Sequence, residues 1–112
     1  MEKKIWAQNI PCDEALIHRL QKPAGPVDVV LDTDTYNEID DQFALSYMIR
    51  NGDKLRVQAI YAAPFHNEKS VSPKDGMEKS FSEILTLLAL LGREDLNPCV
   101  FKGSGTYLHD EE

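Results

Sequence analysis

Residues 27–45 read Val-Asp-Val-Val-Leu-Asp-Thr-Asp-Thr-Tyr-Asn-Glu-Ile-Asp-Asp-Gln-Phe-Ala-Leu. Two periodicities meet in this stretch. Val27 to Thr33 is β-branched and nearly continuous in apolar character, which predicts a strand buried on both faces. Asp40 to Arg50 predicts a helix, with Phe43, Ala44, Tyr47 and Met48 at helical spacing. Its first two residues are acids, which the helix dipole favours at an N-terminus, and Asn51-Gly52 closes it. Four aspartates, Asp32, Asp34, Asp40 and Asp41, fall at the junction. Carboxylates this close repel one another unless a cation lies among them or some carry protons. The carboxyl end of a strand is also where an α/β sheet keeps its ligands.

Working outward, residues 1–11 read as an irregular arm. Asp13 to Gln21 predicts a short helix with Leu16, Ile17 and Leu20 on one face, ended by Pro23, Gly25 and Pro26. Leu55 to Ala63 predicts a second strand, and a loop from Pro64 to about Asp75 follows. Gly76 to Leu91 carries Phe81, Ile84, Leu85, Leu88 and Leu91 at three- and four-residue spacing, and Gly92 stops that helix. Pro98 to Phe101 predicts a third strand, and the charged tail after Leu108 is expected to fray. The order β-α-β-α-β gives an α/β fold with a parallel sheet and right-handed crossovers. Residues 1–26 form an arm and short helix, and residues 27–112 form an α/β domain. Three parallel strands leave both sheet edges open, which points to a fragment or a homo-oligomer.

The 112 residues suffice for one domain with a core and not for two. Hydrophobic residues make up 42% and charged residues 28%, a globular balance. The net charge of −7 gives no electrostatic footprint for a phosphate backbone, which argues against a nucleic acid polymer as partner. Metal ions and neutral polar substrates suit it better. Cys12 and Cys99 form no CxxC pattern and read as reduced thiols in a cytoplasmic protein. The N-terminus has no apolar stretch of signal-peptide length, and the run around Ile84 to Leu91 is too short to span a membrane.

Three motifs compete for the aspartate loop. An EF-hand loop beginning at Asp32 would use Asp32 and Asp34. It then has Asn37 where glycine makes the turn and Phe43 where glutamate closes the shell, and a strand precedes it. A phosphoryl-transfer loop resembling that of the haloacid dehalogenases would use Asp32 as nucleophile, Asp34 as acid/base and magnesium as cofactor. Tyr36 stands where that family has threonine or valine, and Asp40-Asp41 have no role.

The third motif uses all four aspartates. Val29-Val30-Leu31-Asp32-Thr33-Asp34, followed by Asp40-Asp41-Gln42-Phe43-Ala44-Leu45, resembles the N-terminal part of the inosine-uridine-preferring nucleoside hydrolase family. Val57 to Ala63 resembles that family's second strand, Glu78 to Ser80 and Leu87 to Arg93 its next helix, and Val100 to Gly103 its following strand. The resemblance covers about residues 27–108. It departs at Thr35 to Ile39, a longer loop than the common Pro-Gly-x, which marks a divergent branch.

The resemblance implies a Rossmann-like fold and calcium-dependent cleavage of the N-glycosidic bond of ribonucleosides, giving ribose and a free base. Asp34 matches the calcium ligand that acts as general base on the attacking water, and Asp41 the bidentate calcium ligand. Asp40 matches the carboxylate that binds a ribose hydroxyl. Asp32 matches the first aspartate of the ligand shell, and Asn67 a ribose-contacting asparagine. Family members are longer and hold further calcium ligands late in the sequence. The chain is therefore expected to bind calcium weakly by itself and to show little catalysis. A non-catalytic relative that binds a metal or a sugar-like ligand is the alternative.

Plainer roles stand beside these. Asp40 and Asp41 as helix-terminal acids would contribute about 0.3–1 kcal/mol each. Tyr36 and Glu38 read as surface, His66 as a hydrogen-bonded loop residue, and Tyr61 and Phe65 as core aromatics. His18, His109 and both cysteines have no partner in sequence.

Overall fold

A computed structural model describes residues 12–109. The irregular arm expected over residues 1–11, and the last three residues of the tail, lie outside the described residues. The elements run α1 (Asp13–Leu20), β1 (Val27–Thr33), α2 (Ile39–Arg50), β2 (Leu55–Ala62), α3 (Pro73–Leu90), a 3-10 helix (Glu94–Cys99) and β3 (Val100–Lys102). All strands are parallel, in the order β1-β2-β3. The architecture is a Rossmann-like α/β domain, as the alternation of strand and helix patterns predicts.

Both crossovers step the same way across the sheet, and right-handed connections then lay both helices on one face. The core forms there. Leu45, Met48 and Ile49 of α2 meet Ile60 and Ala62 of β2, Met77, Ile84 and Leu88 of α3, and Val100 of β3. Leu45, Ile60, Ile84 and Leu88 are fully buried. At about 25 cal/mol per Å2 of apolar surface, each such side chain contributes about 1.5–3 kcal/mol.

The one-sided cover corrects two expectations. β1 is not buried on both faces: it alternates, with Val27, Val29, Leu31 and Thr33 toward the helices and Asp28, Val30 and Asp32 exposed. Only the α2–α3 face is covered among the described residues, so the other keeps the alternation of a solvated sheet. Val30 is 60% exposed there, and Tyr61 and Phe101 stack on each other at 5.2 Å. Tyr61 is therefore a surface aromatic, whereas Phe65 is buried as expected. In α2, Phe43 and Tyr47 are about as exposed as Val30, and Leu45, Met48 and Ile49 are the buried set. That helix is apolar on several sides, so spacing alone allows two stripes.

β2 carries a bulge. Val29 pairs with Val57 but Val30 pairs with Ala59, so Gln58 has no opposite number. The extra residue switches which residues of β2 face the helices, from Leu55 and Val57 before it to Ile60 and Ala62 after it.

α3 begins three residues before its expected start. Ser72 caps it by accepting a hydrogen bond from the Asp75 backbone N–H at 3.0 Å, and Pro73 occupies the first turn. Asp75 reciprocates by accepting from the Val71 N–H at 3.0 Å. Gly92 ends the helix region at φ +70, where a side chain would be strained. The third strand starts at Val100, because Glu94–Cys99 coil into the 3-10 helix first. α1 forms as expected, but none of its residues is buried.

Candidate functional site

The site is built where β1 ends. Thr33 is the last strand residue, and its inward side chain points at the start of α2. Its hydroxyl donates to Asp41 Oδ2 at 2.8 Å and shares a hydrogen bond of 2.8 Å with the Thr35 hydroxyl. Thr33 and Thr35 are both buried, so this pair forms a polar floor fixed from below. Asp41 is half-buried in the first turn of α2. Partial burial holds its carboxyl above the usual carboxylate range. The neighbouring Asp34 carboxylate adds to the rise, and the Thr33 hydroxyl opposes it. Two carboxylates thus converge from the strand end and the helix start.

The turn between them folds on itself. The Asn37 N–H donates to the Asp34 carbonyl at 2.7 Å, closing a β-turn over Thr35 and Tyr36. The Asn37 side-chain amide donates to Asp34 Oδ2 at 2.9 Å. The turn is anchored to α3 by the Tyr36 N–H, which donates to the buried Ser80 hydroxyl at 3.2 Å. Tyr36 packs beside Phe65 with ring centres 6.5 Å apart, and the Lys79 ammonium lies 5.9 Å from the Tyr36 ring centre.

A second loop, Pro64 to Ser72, closes against the first. Asn67 Nδ2 donates to Asn37 Oδ1 at 2.6 Å, and the Lys69 ammonium donates to the Asn37 carbonyl. Asn67 Oδ1 accepts from the Lys69 N–H at 2.9 Å. The Asn67 N–H donates to the Ser70 hydroxyl at 3.2 Å, and that hydroxyl donates to the buried Phe65 carbonyl at 3.0 Å. Gly76 makes the closeness possible: a Cβ there would lie 2.0 Å from the Phe65 carbonyl oxygen.

The four aspartates divide. Asp34 and Asp41 stand together. Asp40 is exposed beside them and accepts from the Asp41 N–H at 3.1 Å. Asp32 falls on the exposed face of β1, opposite Thr33, because successive strand residues alternate. Asn67 reaches the pair only through Asn37. Sequence reasoning passed over Thr33, Asn37 and Lys69. The signal for Thr33 was present, since a residue flanked by Asp32 and Asp34 on a strand must point to the other face. Lys69 gave no signal, because its partner Asn37 lies 32 positions away; Asn37 stands only three residues after Asp34, but its link to Asn67 spans 30 positions. His66 is exposed.

Calcium takes six to eight hard oxygens. The Asp34 and Asp41 carboxylates are oxygen donors of the right chemistry, and burial together with the neighbouring Asp34 disfavours the charged form of Asp41, an effect a cation would offset. Among the described residues, no group of three or more His, Cys, Asp or Glu side chains gathers in metal-binding geometry. The pair therefore fits one side of a hard-cation shell and leaves the other side to water or ligand oxygens. No helix among the described residues is long and apolar enough to cross a membrane. Compared with known protein families, curated proteins and solved structures, the chain matches none.

Proposed function

We propose that this chain carries the catalytic carboxylate loop of a calcium-dependent nucleoside hydrolase, which splits the N-glycosidic bond of ribonucleosides into ribose and free base. The observation that carries the reading is the convergence of Asp34 and Asp41 at the carboxyl end of β1, over the Thr33–Thr35 floor. Asp34 is the general base that takes a proton from the attacking water. Asp41, oriented by the Thr33 hydroxyl, is the second oxygen ligand of the cation. Asp40, exposed at the rim, accepts from a ribose hydroxyl. A bound calcium ion would balance the carboxylate charge and lower the pKa of a water held on it.

Departure of the base leaves positive charge on the ribose ring, and carboxylates fixed at one face of the ring stabilise that charge as it develops. Direct attack by a water positioned by Asp34 inverts the anomeric carbon. The open side of the cation shell suits sugar hydroxyls, which are neutral oxygen donors. Asp32 is left without a direct contact in this scheme.

The haloacid dehalogenase alternative asks Asp32 to act as nucleophile next to Asp34. Asp32 lies on the opposite face of β1 from Thr33, which removes the nucleophile that reading depends on, whereas the hydrolase reading loses one member of its ligand shell and keeps Asp34 and Asp41.

The test is release of free base from a panel of purine and pyrimidine nucleosides, with calcium, by the longest in-frame product of the gene. Base release that is abolished by Asp34→Ala supports the reading. No release from any nucleoside, or release indifferent to that substitution, refutes it. Phosphate release with magnesium would favour the phosphatase alternative.

A further inference from the structure

We infer that Asn37 and Asn67 form a two-amide positioning relay that runs from the Lys69 backbone to the Asp34 carboxylate and fixes the orientation of Asp34. This rests on the proposed role of Asp34 as base and cation ligand, and it gives the lengthened loop Thr35 to Ile39 a function.

The polarity of the relay is forced at both ends. An ionised carboxylate only accepts, so the group that Asn37 turns to Asp34 Oδ2, at 2.9 Å, is its NH2. Its oxygen then faces Asn67 and accepts from Asn67 Nδ2 at 2.6 Å. A backbone N–H only donates, so the end of Asn67 that meets the Lys69 N–H, at 2.9 Å, is its oxygen. Every donor points toward Asp34. Hydrogen bonds aligned this way polarise one another, which strengthens the last one. Three further contacts hold the relay still. Lys69 Nζ bonds the Asn37 carbonyl, Lys79 Nζ bonds the Lys69 carbonyl at 2.7 Å, and Ser70 pins the Asn67 N–H at 3.2 Å.

Asn67 therefore has its amide engaged at both ends within the protein. That makes it a positioning residue acting through Asn37 rather than a group that holds ribose. Its side chain couples the loop after β2 to the loop after β1, so the two loops at the strand ends move as one body.

The relay is tested by Asn67→Asp, which keeps the shape, keeps the acceptor for the Lys69 N–H and turns the donor into a second acceptor facing Asn37 Oδ1. Cation binding to the 112-residue chain is read by calcium titration and by terbium luminescence. Outer partners of metal ligands typically change affinity by about 10–100-fold when lost. Asn67→Asp should weaken calcium and terbium binding by roughly tenfold or more, although it adds a negative charge beside the site. Asn37→Ala should do the same, and the double variant should bind no more weakly than Asn37→Ala alone.

Tighter binding by Asn67→Asp, or losses that multiply in the double variant, would overturn the relay. If the wild-type chain binds neither ion, the cation reading of the site falls, and the relay is decided without metal. The paired side-chain NH2 resonances of Asn37 should then move toward the free-amide position in Asn67→Asp. An Asn37 pair left unmoved by that substitution excludes the relay whatever the metal result.

Discussion

Gly76→Ala sets two opposed effects against each other at one position. In an exposed helix interior the exchange would stabilise by about 0.8–1 kcal/mol, because alanine loses less backbone entropy. Here the new Cβ would stand 2.0 Å from the Phe65 carbonyl oxygen and 2.8 Å from Phe65 Cδ1. Real Cβ contacts essentially never fall under 3.0 Å, so the loop backbone must retreat by about 1 Å. Overpacking of a filled site costs about 1–3 kcal/mol. The retreat also pulls the Phe65 carbonyl from the Ser70 hydroxyl, a buried hydrogen bond of 3.0 Å whose net contribution is about 1 kcal/mol. The sum predicts a net loss of about 2 kcal/mol, or roughly 8–16 °C in Tm for a domain of this size. Thermal and urea unfolding followed by circular dichroism give the value. A Tm at or above wild type would show that the loop yields freely, and would refute the claim that Phe65 is clamped against α3.

Further substitutions probe the frame and the site. Ser72→Ala removes the cap of α3 and should cost about 1 kcal/mol, read by urea midpoint at unchanged m-value. Asp41→Asn tests the raised Asp41 pKa, whose causes are burial first and Asp34 second. Between the ordinary carboxylate value of about 3.9 and the raised one, the folded chain holds a proton that the unfolded chain has released. Stability therefore falls as pH rises through that window. Without divalent cations Asp41→Asn should flatten the fall, giving a Tm at pH 7 at or above wild type and no gain below pH 3.9; a lower Tm at neutral pH would count against it. Calcium should raise the Tm of wild type by binding only the folded state. Asp34→Ala and Asp41→Ala should each erase the rise, while Asp32→Ala, on the other face of β1, should keep it.

What the sequence determined is the order of elements and the place of the chemistry. A β-branched run ending at Thr33, an acid-led helix after it and the regular stripe of α3 are local patterns, and local patterns set β-α-β-α-β with parallel strands. The stripe of α3 was legible because Ile84 and Leu88 recur at the spacing of one helix face and are buried as that spacing predicts, while Leu90 on another side is exposed. The aspartate junction was legible for the same reason, since four acids crowded between two apolar segments need no tertiary information to be noticed.

Tertiary structure decided which of those acids meet. Strand alternation sends Asp32 to the open face, and Asp34, just past the strand, turns with the loop toward Asp41. It also chose Leu45, Met48 and Ile49 over Phe43 and Tyr47, because a helix apolar on several sides has no single stripe until a sheet covers one. The bulge at Gln58 reset the inward parity of β2, which no count of alternation foretells. The Asn37–Asn67 contact joins residues 30 positions apart through loops that only the closed approach of Phe65 and Gly76 brings together. Short-range periodicity is written in the chain, whereas the pairing of polar side chains across loops depends on distances that exist only after the core has formed.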